Sequence, residues 1–172
     1  MRGLCLSGGG IKAAAHIGAL KAFEEENIKF DCVSGASSGS IIATMYALGY
    51  SSDEMWKMFQ KLAPKIKYYQ WRNIFKLILG LIFKREIVID GLNSGKVIEK
   101  IISNICSEKK IYNMNQIKIP LLISMVDSQT GTVYIASSKE TRVQLLDNTE
   151  FITDVPIGTA VRASCSFPVV FS

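Results

Sequence analysis

The chain has 172 residues, of which 48% are apolar and 20% charged, and its formal net charge is +5. These values describe one globular domain with a substantial core, and they exclude an intrinsically disordered chain. The N-terminus lacks the apolar stretch of a signal peptide. The longest apolar run, residues 77–83, is too short to span a bilayer.

The cysteines and the single histidine limit the possible chemistry. The four cysteines are widely spaced and form no C-x-x-C pattern, which favours reduced, mostly buried thiols and a cytoplasmic protein. His16 is the only histidine, so a metal site is not expected.

Strand-like and helix-like segments alternate along the chain. Apolar runs predict strands over residues 3–7, 30–34, 119–126 and 132–136, and residues 127–131 have the composition of a hairpin turn. Helices are predicted over residues 11–26, 40–48 and 155–163, and two more begin with caps at Ser52 and Ser94. This alternation predicts an α/β sandwich around a mainly parallel sheet, organised as a single domain over residues 1–172.

Two glycine-rich turns carry the strongest functional signal. The first, Gly8-Gly9-Gly10, follows the first predicted strand, and the second, Gly35-Ala36-Ser37-Ser38-Gly39, follows the second. Each turn precedes a predicted helix, and their separation suits one βαβ unit. Because parallel strands end at the same edge of a sheet, we expect the two turns to lie together.

The second turn has the G-x-S-x-G pattern of a nucleophile elbow. The pattern predicts Ser37 as a nucleophile that projects from a sharp bend at the N-terminal end of a helix. The glycine loop from Gly8 to Gly10 predicts an oxyanion hole, with the amides of Gly9, Gly10 and Ser38 as donors. Lys12 either holds a phosphate, braces the loop or is simply solvated.

Other interpretations of these turns fit less well. Gly8-x-Gly10-x-x-Ala13 also matches a dinucleotide-binding fingerprint, with Asp31 near the expected interval. However, Asp31 precedes the second strand instead of ending it, and the serine turn is left unexplained. A phosphate-binding P-loop is excluded because no G-K-[ST] follows the glycines.

The base that would activate Ser37 is not evident from these motifs. A Ser-His-Asp triad would have to use His16, which lies on the first predicted helix and is interpreted as structural. The remaining option is a carboxylate that acts directly on the serine.

A basic and aromatic segment over residues 64–90 interrupts the alternation as an insertion. Between Met55 and Arg85 there are eight Lys or Arg and no acidic residue, and both tryptophans lie in this window. This composition favours either contact with an anionic membrane surface or a basic helical insertion that covers its own core. No nucleic-acid-binding motif accompanies it.

These motifs together resemble the patatin-like lipid acyl hydrolases over almost the whole chain. The matching segments are Gly8-Gly9-Gly10-Ile11-Lys12, His16-Ile17-Gly18-Ala19-Leu20, Gly35-Ala36-Ser37-Ser38-Gly39-Ser40, Asp127-x-x-Thr130-Gly131 and Ala160-Val161-Arg162-Ala163-Ser164. The resemblance implies a three-layer α/β/α sandwich that cleaves fatty acyl esters of lipids or phospholipids with a Ser-Asp dyad, without metal or cofactor. It assigns Ser37 as nucleophile and the glycine loop as oxyanion hole.

The chain departs from the family pattern in four places. Ser7, Lys12 and Ala13 stand where the family often has Asp, Arg and Gly, which leaves the loop amides available. The catalytic aspartate of the family lies in an Asp-Gly-Gly or Asp-Gly-Ala motif, and the one Asp-Gly here, Asp90-Gly91, is far upstream of the expected place. We therefore expect a C-terminally incomplete domain that carries the nucleophile without its base and is inactive alone. The alternative is a non-catalytic lipid- or membrane-binding module.

Overall fold

The computed structural model describes residues 1–61, 91–140 and 147–166, and it describes side chains throughout these ranges except at residues 91–94. The strands are β1 (Gly3–Leu6), β2 (Cys32–Gly35), β3 (Leu121–Val126), β4 (Val133–Ser137) and β5 (Thr149–Ile152). The helices are α1 (Ala14–Glu25), α2 (Ser38–Ala47), α3 (residues 52–61), α4 (Gly91–Glu108) and α5 (Ile157–Cys165). Two 3-10 turns, Gly10–Ala13 and Met114–Gln116, precede α1 and β3.

The five strands form one sheet in the order β1-β2-β3-β4-β5. All neighbouring pairs are parallel except β3 and β4, which are antiparallel. The mainly parallel α/β architecture predicted from the sequence is therefore confirmed. In β1 and β2, Leu6 pairs with Gly35, so the carboxyl ends of the two strands lie side by side.

The hairpin turn predicted over residues 127–131 joins β3 to β4. The amide of Asp127 donates to the Thr132 carbonyl at 2.9 Å, and the amide of Gly131 donates to the Asp127 carbonyl at 2.8 Å. Gly131 has a φ of 71°, a conformation that costs glycine little because it has no Cβ. The composition of this turn therefore determines the one antiparallel pairing.

The core lies between one face of the sheet and the helices. Leu121 and Ile123 of β3 are fully buried, and they belong to the same apolar cluster as Leu20 of α1, Ile42 of α2 and Val161 of α5. Complete burial of an aliphatic side chain of this size is worth about 1.5–3 kcal/mol relative to exposure. This packing fixes α2 and α5 against the strands that carry the glycine turns.

The opposite face of the sheet is more open. Cys5 and Ser124 are exposed there, Ser34 and Leu122 are partly buried, and a cavity of about 380 Å³ lies over them. The alternation of exposed and buried residues along β3 follows from the two-residue period of a strand.

Several element boundaries differ from the sequence prediction. Strand β5 was not predicted, and Ser94 lies inside α4, which begins at Gly91. Helix α3 is capped by Ser51 instead of Ser52. The Glu54 amide donates to Ser51 Oγ, and the Glu54 carboxylate in turn accepts a hydrogen bond from the Ser51 amide.

The basic and aromatic insertion predicted over residues 64–90 lies outside the described residues. Within the described ranges, no helix combines the length and apolar character needed to cross a membrane.

Candidate active site

Ser37 lies on a strained turn between β2 and α2. Its φ of 51° and ψ of −129° belong to a region that residues with a Cβ seldom occupy. A Cβ on Gly35 would lie 2.6 Å from the Gly39 carbonyl oxygen and from the Ser40 Cα, and a Cβ on Gly39 would overlap the Leu6 carbonyl. Both glycines of the G-x-S-x-G pattern are therefore required by close backbone contact.

Hydrogen bonds hold the backbone of Ser37 on both sides. Its amide donates to Ser164 Oγ at 2.9 Å, a contact with the last turn of α5. Its carbonyl accepts from the Ser40 amide at 2.8 Å and from Ser40 Oγ at 2.6 Å. The nucleophile predicted from the sequence is thus held between its own helix and a distant one.

The glycine loop lies directly beside Ser37. A Cβ on Gly8 would lie 3.0 Å from Ser37 Cβ and 3.6 Å from Ser37 Oγ. Gly10, two residues on, has a φ of 58° and begins the 3-10 turn. The structure therefore brings together the two turns that the sequence placed at one edge of the sheet.

The amides predicted as oxyanion donors differ in whether they already have a hydrogen-bond acceptor. The Gly9 amide donates to Ser38 Oγ at 3.1 Å. Gly10 and Ser38 are the first residues of the 3-10 turn and of α2. Their amides have no acceptor among the described residues, because the first amides of a helix lack an intrahelical partner. Free amides at a helix N-terminus, together with the helix dipole, favour a negative charge at this position.

Cys165 also lies beside Ser37, although the sequence analysis gave it no role. Burial raises the pKa of its thiol to about 11, and hydrogen bonding from the Ser40 and Ser37 side chains opposes this shift. The thiol is therefore neutral at physiological pH. Residues Ser164 and Cys165 are the site residues that sequence reasoning missed, although Ser164 closes one of the motifs that carried the family resemblance.

His16 and Lys12 do not contact Ser37. The Nε2 atom of His16 lies 3.0 Å from the Ser7 carbonyl oxygen, so the imidazole joins α1 to the end of β1. Lys12 is exposed; its amide donates to the Gly9 carbonyl at 3.1 Å, and its side chain makes no hydrogen bond to a described residue.

In the described part of the chain, no carboxylate forms a hydrogen bond with Ser37. Asp31 accepts from the Arg2 amide, Asp53 pairs with Lys21, Asp127 accepts from the Gln129 amide and Asp154 binds Asn113. Residue Asp90 lies outside the described ranges. The same ranges contain no group of three or more His, Cys, Asp or Glu side chains that could hold a metal ion.

Sequence comparison relates the chain to known proteins over nearly its whole length. A family model described as patatin-like phospholipase matches residues 4–172. The uncharacterized protein YqhO of Bacillus subtilis is 30% identical over 96% of this chain and 55% of its own length. The uncharacterized protein R571 of Acanthamoeba polyphaga mimivirus is also 30% identical, over 99% of this chain and 53% of its own length. The chain thus spans about half the length of these relatives.

Solved structures with the same fold are larger bacterial proteins. ExoU of Pseudomonas aeruginosa, in its complex with SpcU, matches with a TM-score of 0.57 and 21% identity over 98% of this chain and 36% of that chain. VipD of Legionella pneumophila matches with a TM-score of 0.58 and 17% identity over 99% of this chain and 43% of that chain. At these identities the likeness shows the fold. The family match over residues 4–172 shows that the chain belongs to the patatin-like phospholipase family.

Proposed function

We propose that this protein is a serine hydrolase that cleaves fatty acyl esters of lipids, with Ser37 as the nucleophile. The observation that carries the proposal is the strained turn at Ser37 beside the glycine loop. A strained serine next to unpaired amides is the arrangement that acyl transfer requires. A lipid substrate is supported by the family and by the lysophospholipase NTE1 of Kluyveromyces lactis, which is 36% identical over 75 residues, or 44% of this chain and 5% of that protein.

In the proposed reaction, Ser37 Oγ attacks the ester carbonyl carbon and its proton passes to a base. The negative charge on the carbonyl oxygen is stabilised by the free amides of Gly10 and Ser38, and by the Gly9 amide once it exchanges Ser38 Oγ for the substrate oxygen. The bond to the alcohol then breaks, and the alcohol leaves with the proton. Water hydrolyses the acyl-enzyme, which releases the fatty acid and restores the serine hydroxyl.

We propose a carboxylate as the base, in a Ser-Asp dyad whose aspartate lies outside the described residues. Two observations support this. His16 bonds to the Ser7 carbonyl, and none of the five described aspartates forms a hydrogen bond with Ser37: Asp147 is exposed, and the other four bind other partners, namely Asp31, Asp53, Asp127 and Asp154.

The function is tested by covalent labelling with an alkyl fluorophosphonate, followed by peptide mass spectrometry. In this reaction Ser37 Oγ bonds to phosphorus, its proton passes to the base, and fluoride leaves, so one adduct forms without repeated turnover. We expect the adduct on Ser37 and its loss in Ser37→Ala, whereas Ser124→Ala, on the open face of the sheet, keeps it. An adduct that survives Ser37→Ala, or a wild-type chain without an adduct, would contradict the proposal.

A second candidate function is contact with an anionic membrane surface. Trp56 on α3 is 44% exposed and stacks on Phe59 with ring centroids 5.6 Å apart, and Lys57 and Lys61 of the same helix are exposed. An exposed tryptophan stacked on a partly buried phenylalanine, with neighbouring exposed lysines, suits the interface between lipid headgroups and acyl chains.

Sedimentation with anionic vesicles tests the membrane contact. We expect binding at low salt that weakens as salt is added, and that weakens further when Lys65, Lys67, Arg72 and Lys76 are neutralised together. Absence of binding at low salt would remove this candidate and leave the hydrolase proposal untouched.

A further inference from the structure

We propose that Ser164, at the C-terminal end of α5, is a positioning residue that sets the geometry of Ser37. The inference rests on the proposed function of Ser37 and deepens it. Its basis is the hydrogen bond from the Ser37 amide to Ser164 Oγ, which has a length of 2.9 Å and spans 127 residues of sequence.

The turn at Ser37 needs external support because its backbone is strained. A non-glycine residue in a sparsely populated φ/ψ region persists when the surrounding structure holds it there. The other hydrogen bonds to the backbone of Ser37 come from Ser40, one turn along α2, and move with that helix. Among the described residues, Ser164 supplies the backbone hydrogen bond to Ser37 from outside the segment that contains the turn.

Helix α5 is well suited to act as a fixed reference. Ile157, Ala160 and Val161 are fully buried in the core. On the side toward α4, Glu99 accepts from Arg162 Nη1 at 2.8 Å and from Thr159 Oγ1 at 3.0 Å. The Ser164 hydroxyl is therefore attached to a helix that is held by both apolar packing and an ion pair.

Loss of the Ser164 hydroxyl would leave the Ser37 amide without its acceptor in a partly buried position. The turn could then relax, and Ser37 Oγ would move relative to the amides of Gly9 and Gly10. A displacement of about 1 Å in a reacting group can slow a reaction about 100-fold. We therefore expect Ser164→Ala to slow the reaction of Ser37 about 10- to 100-fold while the affinity for the reagent is unchanged.

The test compares the rate of fluorophosphonate labelling of Ser37 in the wild type, Ser164→Ala and Ser164→Thr. The expected result is a lower maximal rate in Ser164→Ala with an unchanged half-saturating concentration. Ser164→Thr, which keeps the hydroxyl, should recover most of the rate. Ser166→Ala is the matched control, because Ser166 Oγ donates to the Arg162 carbonyl at the same helix end without contacting Ser37.

A second measurement follows the hydrogen bond itself, by amide exchange at Ser37 in nuclear magnetic resonance spectra. We expect faster exchange in Ser164→Ala than in Ser164→Thr, with similar circular dichroism spectra for both. Equal labelling rates in the wild type and Ser164→Ala, or unchanged exchange, would overturn the role of Ser164. A wild-type chain that is not labelled at Ser37 would instead overturn the proposed function.

Discussion

Gly8 leaves little room for a side chain beside the nucleophile. A Cβ at this position would lie 3.0 Å from Ser37 Cβ, tighter than ordinary van der Waals contact, whereas Gly18 on α1 has no atom within 4 Å of such a Cβ. The same methyl group should therefore have opposite consequences at the two positions.

We expect Gly8→Ala to slow fluorophosphonate labelling of Ser37 about 10- to 100-fold, because either the loop or the serine must move. The labelling rate at saturating reagent measures the effect, and a thermal melt shows whether the fold is retained. Gly18→Ala is the control. It should leave labelling unchanged and raise the free energy of unfolding by about 0.5–1 kcal/mol, since alanine favours a helix interior over glycine. Equal labelling of Gly8→Ala and the wild type would show that the loop does not constrain Ser37.

At the residue scale, sequence reasoning identified the site residues whose contacts lie close to them in the chain. Ser37 and the glycines of its turn form one local pattern, and the β1 and β2 register explains why Gly8 lies beside them. Ser164 was missed as a contact because 127 residues separate it from Ser37, and no local pattern encodes such a distance. Only the packing of α5 brings the two serines together.

At the scale of elements, Glu24 joins two helices. It lies near the end of α1, and its carboxylate accepts from the Ser52 amide at 2.9 Å and from Ser52 Oγ at the start of α3. A negative side chain at a helix N-terminus binds the free amides and interacts favourably with the helix dipole. Glu24 therefore links the end of α1 to the start of α3.

We expect Glu24→Ala to lower the free energy of unfolding by about 0.5–2 kcal/mol, the usual cost of losing a helix cap. Urea denaturation measures the change, and Glu25→Ala is the matched control because Glu25 is exposed on the same turn. The control should stay within about 0.5 kcal/mol of the wild type. If both variants lose the same stability, the contact with Ser52 contributes nothing specific.

The elements that the sequence predicted are those with long or strongly patterned apolar runs. Strand β5 was missed because Thr149–Ile152 contains a charged residue, Glu150, at its second position, whereas the equally short β1 and β2 contain none. Its pairing with β4 is a tertiary property, since partners such as Val133 and Thr149 are far apart in the chain. The start of α3 was misplaced by one residue because Ser51 and Ser52 are both good capping residues.

At the scale of the whole molecule, the two faces of the sheet differ in what they expose to solvent. Cys5 lies on the open face and is exposed, whereas Cys106 of α4 is only 1% exposed within the core. Burial raises the pKa of the Cys106 thiol to about 11, so at pH 8 only about 0.1% of it is the reactive thiolate. The rate at which a thiol reagent modifies each cysteine therefore reports whether that part of the fold is covered.

We expect iodoacetamide at pH 8 to modify Cys5 at least about 100-fold faster than Cys106 in the native protein. Raising the pH from 8 to 9 should increase the thiolate fraction of Cys106 about tenfold, because both values lie below its pKa of about 11. Peptide mass spectrometry measures each rate, and labelling in urea is the control in which the difference should disappear. Fast native modification of Cys106 would show that the core opens readily on that side.

Because the strands stand in the sheet in the same order as in the chain, each new strand adds to the outer edge of those already made. A ribosome synthesises the N-terminal part first, so β1, β2 and the turn at Ser37 emerge well before α5. The acceptor of the Ser37 amide is then still missing, since Ser164 belongs to the last described helix. A nascent chain would thus carry its serine before the contact that fixes the serine's geometry, and under the proposed function its full reactivity toward esters would be reached once α5 had docked.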